Sequence, residues 1–292
     1  MRVAARVWLV CFGLSLCNAD QCAGDEPRLI NVFLMAGQSN MAGADSVAAE
    51  SPDVQVTAED RAARFTTAPL PEGTQSAAWL PWSELRAHRV KNTLVHGPEL
   101  GFVRVLHEQG WRNVAVIKVY ANFGRDVQQW PWGEGGYLFS AWMKFVDDRL
   151  NELREQGYAV QVRGFVWHQG IDDAIHGRLA ADYGPNLASL IGVLRKRFSA
   201  DAAPFVLARS VNSKIAQPTP DPEERSPMAA VRRAQVQLTK DVRGVGWINV
   251  DDQPNVNTHH FTAAGQLVLG RRFGEAFLKI EQAKNDRQRS GE

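Results

Sequence analysis

Cysteine is scarce in this 292-residue chain, and badly placed for cross-linking: Cys11, Cys17 and Cys22 are the only three. If a leader is cut after Ala19, Cys22 alone survives and no internal disulfide can form, so the mature chain must rest on a packed core, which its length allows. A surplus of one charge is lacking too. Lys and Arg number 33 against 32 Asp and Glu, a net charge of +1, which gives no electrostatic reason to invoke nucleic acid or an anionic membrane surface. The seven histidines show neither H-x-H nor H-E-x-x-H spacing; with one thiol left, a zinc site is disfavoured and no metal is expected. The apolar run Val7 to Cys17 is too short to cross a bilayer as a helix. With Arg2 and Arg6 before it and small and polar residues after it, the run reads as a secretory signal peptide over residues 1–19. A lipid anchor is the alternative reading, since Cys17 and Cys22 lie nearby, though neither follows a small residue. The expected location is therefore secreted or periplasmic, and what remains reads as one domain over 27–283 with a flexible tail at 284–292.

What is present is concentrated in the stretch Asn31 to Gly43, N-V-F-L-M-A-G-Q-S-N-M-A-G. Val32 to Met35 form an unbroken apolar run, which suits a strand buried on both faces, and Gly37 ends it at a tight turn. Ligands of parallel-sheet proteins bind at the carboxyl ends of strands, where Ser39 would stand. A hydroxyl there, with its own backbone N–H at the start of a helix, meets the needs of a nucleophile. By itself the pattern equally suits a serine that only caps the next helix. It is not a G-x-S-x-G elbow, because Met41 occupies the second glycine position.

Further along, residues 44–96 have little periodicity and contain Pro52, Pro69, Pro71 and Pro81; they read as a long insertion, functional or disordered. Trp79 and Trp82 within it could stack on sugar rings or simply pin the loop to the body. Apolar runs at 113–120, 160–167, 204–210 and 245–250 read as four more strands. Helical spacing fills the gaps between them: a helix after Pro98 ending at Gly110, one through Trp142 to Leu153, one through Leu187 to Leu194, one capped by Ser226-Pro227, and a closing helix with Leu267, Phe273 and Phe277. Five strands alternating with helices imply an α/β protein, a three-layer α/β/α sandwich around a mainly parallel five-stranded sheet.

The block Gly37 to Met41, G-Q-S-N-M, resembles the nucleophile block of the SGNH (GDSL-like) hydrolases, in the branch that holds sialate O-acetylesterases and the acetylxylan esterases of carbohydrate esterase family six. That family shows W-x-Q-G-E-S-D-A, and here Trp167, Gln169, Gly170, Asp173 and Ala174 match. It also shows D-x-x-H-F/P-x-x-x-G, which Phe261 and Gly265 align on His260 rather than His259. A third stretch, Gly-Gly-Ser/Thr with a Trp five residues on, places Gly124 at its second glycine when counted back from Trp130. Gly97-Pro98 and the stretch V-R-R-A-Q ending at Gln235 are further similarities.

The resemblance implies a flavodoxin-like SGNH fold and a cofactor-independent serine esterase. Ser39 would be the nucleophile and His260 the general base and acid; the N–H groups of Ser39 and Gly124 with the Gln169 amide would form an oxyanion hole. His168, on the opposite face of the strand from Gln169, reads as a packed ring. Gln38, Asn40, Asp172, Trp130 and Trp132 are candidate substrate-binding residues. Two positions depart from the family pattern. Ile171 replaces its Glu, and Asn257 replaces the Asp three residues before the His, so that either Asn257 orients the ring or Asp251 or Asp252 substitutes for it. The expected substrate is an acetylated carbohydrate. The alternatives are a sugar-binding protein with weakened catalysis on this scaffold, or an esterase for non-sugar acyl esters; oligomeric state and the particular sugar are not legible.

Overall fold

The computed structural model describes residues 27–70, 80–121, 136–175, 177–210 and 226–290. The expected signal peptide, all three cysteines, Gly124, Trp130 and Trp132 lie outside them.

A seven-stranded sheet organises the chain. Its strands are β1 (Arg28–Gly37), β2 (Arg64–Leu70), β3 (Ser83–Glu84), β6 (Val114–Ala121), β7 (Tyr158–His168), β8 (Phe205–Ala208) and β9 (Val245–Ile248); a separate hairpin pairs β4 (His88–Val90) with β5 (Thr93–Val95). The sheet runs in the order β3-β2-β6-β1-β7-β8-β9, parallel throughout except for the short β3 against β2.

The apolar run in β1 follows from its central place. Alternate side chains point to opposite faces of a strand. Val32, Leu34 and Ala36 enter a core shared with α3 (Tyr137–Glu155), α5 (Tyr183–Arg197) and α6 (Pro227–Asp241). Phe33 and Met35 enter the other core, with α2 (Glu99–Glu108) and α7 (Ala263–Ser290). Helices thus cover both faces, as a parallel sheet requires. Local chemistry sets several helix ends: Ser226 caps α6 by accepting the N–H of Ala229 at 3.1 Å, and Pro227 takes the first position, where a missing N–H costs nothing.

The five expected strands are all present, and the segment read as an insertion supplies four more, β2 and β3 in the sheet and the hairpin β4-β5, so the sheet has seven strands rather than five. β2 pairs with β6 along its whole length and extends the sheet, so residues 44–96 are in part framework. Its Pro69 sits beyond the two residues that pair with β3, on an edge where no N–H is needed. Trp82 donates its ring N–H to the carbonyl of Arg149 at 3.2 Å and so pins this segment to α3. At the other end, α7 continues to Ser290, so residues 284–290, read as tail, are helical.

β1 is flanked by β6 on one side and β7 on the other; the connection from β1 leads to β2 on the β6 side, and the one after β6 crosses to β7 on the other. In open parallel sheets such a switch point is where a crevice forms.

Candidate active site

β1 stops at Gly37 and the chain enters a single turn, α1 (Ser39–Ala42). Ser39 is the first helical residue, so its amide has no partner within that turn. Its hydroxyl does not cap the turn but lies 2.8 Å from Nε2 of His260. The other ring nitrogen of His260, Nδ1, is 2.6 Å from Oδ2 of Asp45.

A hydroxyl, an imidazole and a carboxylate therefore stand in line, and the carboxylate is one the sequence reading did not select. Neither stand-in comes near the ring. Asp251 is paired with Arg209 and Arg232, each at 2.6 Å, and Asp252 with Arg272 at 2.6 Å.

Asn257 lies at the ring as well, its amide nitrogen 3.2 Å from Nδ1 of His260, and its other contacts build the turn. Its carbonyl oxygen accepts the N–H groups of His259 (3.0 Å) and His260 (2.9 Å), which shapes the turn, and its amide donates to Oδ2 of Asp45 at 2.9 Å. The turn is closed by a bridge between Asn255 and Phe261 and by the N–H of Val256 on the carbonyl of His260 at 2.8 Å. Phe261, fully buried, anchors it. The Asp45 carboxyl is held below its ordinary value, chiefly by the hydrogen bond from His260, against the opposing effect of partial burial; the His260 charge, Asn257 and Lys91 add to the lowering.

Asp45 reaches this place through two departures from right-handed backbone, on either side of Ala44. Gly43 has φ +82°, and a side chain on it would overlap the carbonyl of His96. Asp45 itself has φ +63°, a region where Asp is tolerated better than most residues.

On the other side of Ser39, β7 ends at His168 and delivers Gln169. The Gln169 amide nitrogen donates to Oδ2 of the fully buried Asp173 at 2.6 Å, which fixes the plane of the amide. The backbone is clamped as well: the Gln169 carbonyl accepts from the Tyr183 hydroxyl (2.9 Å) and the Gln235 amide (3.1 Å). Gly170 follows at φ +144°, and a Cβ there would overlap the Ser210 hydroxyl. Its N–H is accepted by Oε1 of Gln38 at 3.1 Å. His168 packs with Phe261 and Phe273, at 6.1 and 6.2 Å between ring centres, and burial pushes its ring down to about 3, with the His260 charge adding to it, so it is neutral.

Ser39 lies between two clefts. One, of about 100 Å³, is lined by Gln169, Ile171, Asp172, Ile175 and His259. The other, of about 120 Å³, is lined by Ala44, Asp45, Val90, Lys91, Thr93 and His260. Of the candidate binding residues, Asp172 is on the first cleft. Gln38 and Asn40 touch it too, but their polar ends brace the site: the Asn40 amide donates to the carbonyl of His259 at 2.9 Å, joining α1 to the histidine turn. Asp45, and the orienting roles of Asp173 and Gln235, are what the sequence reading missed. Gln235 stood out there only as the end of a similar stretch, and Asp173 only as a matching position.

The family model of carbohydrate esterases described as sialic acid-specific acetylesterases matches residues 29–279. The chain belongs to this family. Among curated relatives of these esterases, a probable carbohydrate esterase of Arabidopsis thaliana is 26% identical over 257 residues, covering 85% of this chain and 90% of its own length. Among solved structures, an Arabidopsis thaliana protein superposes with a TM-score of 0.59 at 20% identity, covering 85% of this chain and 98% of its own. A carbohydrate acetylesterase from Xanthomonas citri gives 0.58 at 17%, covering 85% and 56%. NanS gives 0.59 at 15%, covering 88% and 99%. At these identities the superpositions bear on the fold of the esterase and not on its substrate. The family assignment agrees with the Ser39 and Gln169 blocks; the branch within it, acetylxylan or sialate, is left open.

Proposed function

We propose that this protein is a secreted serine esterase that hydrolyses O-acetyl esters on carbohydrates through an acetyl-Ser39 intermediate. The observation that carries the reading is the line from Asp45 through His260 to Ser39, with separations of 2.6 and 2.8 Å, at the carboxyl ends of the strands. Ser39 Oγ attacks the acetyl carbon while Nε2 of His260 takes its proton. The imidazolium is hydrogen-bonded through Nδ1–H to the Asp45 carboxylate, which favours its formation. The oxyanion is held by the Ser39 N–H, by the Gln169 amide and by the Gly124 N–H expected from the sequence. The bond to the sugar oxygen breaks, and His260 returns the proton to it. Water, deprotonated by His260, then attacks the acetyl-enzyme; the bond to Ser39 Oγ breaks, His260 returns the proton to Oγ, and acetate leaves.

Such chemistry needs neither a metal nor an organic cofactor. A neutral or weakly charged acetylated sugar suits a chain of net charge +1, and acetylxylan and O-acetyl sialate are the first candidates given the family's description. The sequence departures weigh less heavily than the residues alone suggest: Asn257 no longer removes the acid, because Asp45 stands at the ring. Ile171 remains a change of cleft chemistry beside Ser39.

The test is turnover of p-nitrophenyl acetate and of a panel of acetylated xylan, O-acetyl sialic acid and acetylated pectic fragments by wild type and Ser39→Ala. Loss of about 10⁶-fold in kcat is expected for the variant. Equal rates would rule the reading out. A wild type that binds oligosaccharide but is not labelled by a fluorophosphonate would point instead to a binding protein on this scaffold.

A further inference from the structure

The turn that joins Ser39 to Asp45 rests on a buried ion pair that the reaction scheme leaves unused. Lys118 lies in β6, every residue of which is buried, and Glu99 opens α2; both are 0% exposed, with Nζ 2.7 Å from Oε2. Taking two charges out of water is costly, and a well-packed apolar pair in the same space is often as stable. Fold stability alone therefore gives weak grounds for such a pair.

Its attachments point to the turn. The second oxygen of Glu99, Oε1, accepts the N–H of Gly97 at 2.9 Å and so fixes the 96–97 backbone. The carbonyl of His96 lies 2.6 Å from the hydroxyl of Ser46, which is also 2.6 Å from the carbonyl of Gly43. Buried His88, whose ring burial and the Lys118 charge push down to about 3, lies with Nε2 3.0 Å from the carbonyl of Ala42. As a neutral ring with its proton on Nε2, it donates there. The Lys118 ammonium is 3.3 Å from the same nitrogen.

Both ends of the segment 42–46 are thus held from below, at Ala42 by His88 and at Gly43 and Ser46 through the 96–97 backbone. Asp45 stands between them in left-handed backbone, with a side chain 52% exposed. A half-exposed side chain can keep a 2.6 Å contact only if its backbone is fixed.

Resting on the reading of Asp45, His260 and Ser39 as the proton-transfer line, we infer that Glu99, Lys118 and His88 are positioning residues that fix the 42–46 turn and thereby hold Asp45 against His260. The titratable and charged groups around His260 are Asp45, the neighbouring His259 and His168, with Lys91 acting on Asp45 from the hairpin tip. None of the three positioning side chains touches His260, so any effect of theirs must pass through the turn.

The experiment compares the full chain with Glu99→Gln/Lys118→Met, which removes both charges while keeping volume, with Asp45→Asn, and with the triple variant. The readouts are kcat, KM, the acid limb of kcat/KM on p-nitrophenyl acetate, and Tm. The pair variant is expected to lose about 10- to 100-fold in kcat with KM within about twofold, to move the acid limb to lower pH in the same direction as Asp45→Asn, and to add nothing further in the triple variant. His88→Phe, which removes the hold on Ala42 and the ring's contacts with Lys118 and Glu99 but keeps the Glu99–Lys118 pair, is expected to move the limb the same way, and keeps the test decisive should the pair variant not fold. A lowered Tm with wild-type kcat and acid limb overturns the inference, as does a loss that multiplies with that of Asp45→Asn. Wild-type behaviour of Asp45→Asn itself would instead overturn the reading of the acid.

Discussion

On the Gln169 side of the nucleophile, every support is inside the protein: Asp173 is fully buried against the amide, while Tyr183 and Gln235 hold the carbonyl. On the His260 side, the acid is half in water and its supports are turns: the left-handed step at Asp45 and the Asn257-shaped loop before Phe261. An amide that must aim an N–H at developing charge gains from a dry, fixed surrounding, where its dipole is little screened. A carboxylate that only orients and balances a ring has to be near Nδ1, and more than one backbone position can supply it. The buried half resists change because each group is another's partner. The exposed half allows the acid to move, and here it sits on the nucleophile's turn while the position three residues before His260 carries Asn.

The contrast can be broken most directly at Asp45. Asp45→Asn is expected to lower kcat by about 10² to 10⁴-fold with little change in Tm, since the side chain is exposed; an unchanged kcat on any acetate ester would remove Asp45 from the scheme. Next in size, Gln169→Ala should cost about 10² to 10³-fold in kcat. In contrast to Asp45→Asn it should also lower Tm, because the Asp173 carboxylate loses a hydrogen bond in a buried site; calorimetry of the two variants side by side measures the difference. Asn257→Asp sharpens the point about mobility of the acid. In wild type it sets a second carboxylate beside Asp45, whose Oδ2 is now 2.9 Å from the Asn257 amide, and should depress kcat. Combined with Asp45→Asn it should recover about tenfold or more of the lost rate, and no recovery would mean that position 257 cannot serve the ring.

The smallest effect concerns His168. Its folded value of about 3 lies below the ordinary 6.5, so on acidification the unfolded chain takes up a proton first. The stability this neutral ring contributes is complete above about pH 6.5 and is lost as pH falls toward about 3. His168→Phe, placed between Phe261 and Phe273, should therefore flatten the fall of Tm with pH across that window and leave kcat near wild type. A slope identical to wild type would mean that the ring is not held neutral.

Legibility followed the same division. Four of the five expected strands lie inside the sheet, where burial leaves apolar runs such as V-F-L-M; Ser39 was readable because a glycine turn follows such a run, and Gln169 because its block resembles a family pattern. β2 was not, since R-F-T-T-A-P-L carries polar residues and a proline, tolerated because Pro69 sits where β3 no longer pairs. Asp45 was hidden for a conformational reason. Only the left-handed steps at Gly43 and Asp45 turn its side chain back toward the imidazole, and sequence spacing does not report the sign of φ. The signal that could have found it is Gly-Ala-Asp just past the nucleophile, two residue types that favour that backbone region. Asp173 and Gln235 stood in matching stretches, but that each clamps Gln169 depends on how the chain folds around it.

Nucleophile and acid are six positions apart in one turn, whereas the base arrives 215 residues after the acid, just ahead of α7. That helix is seated by Phe277 against Phe102 and Phe33. As the polypeptide leaves the ribosome, the hydroxyl and carboxylate are therefore complete long before anything can deprotonate the serine. The imidazole and the helix that closes one face of the sheet thus arrive together, so truncation upstream of residue 260 should remove both at once and leave an inert product with that half of the core uncovered.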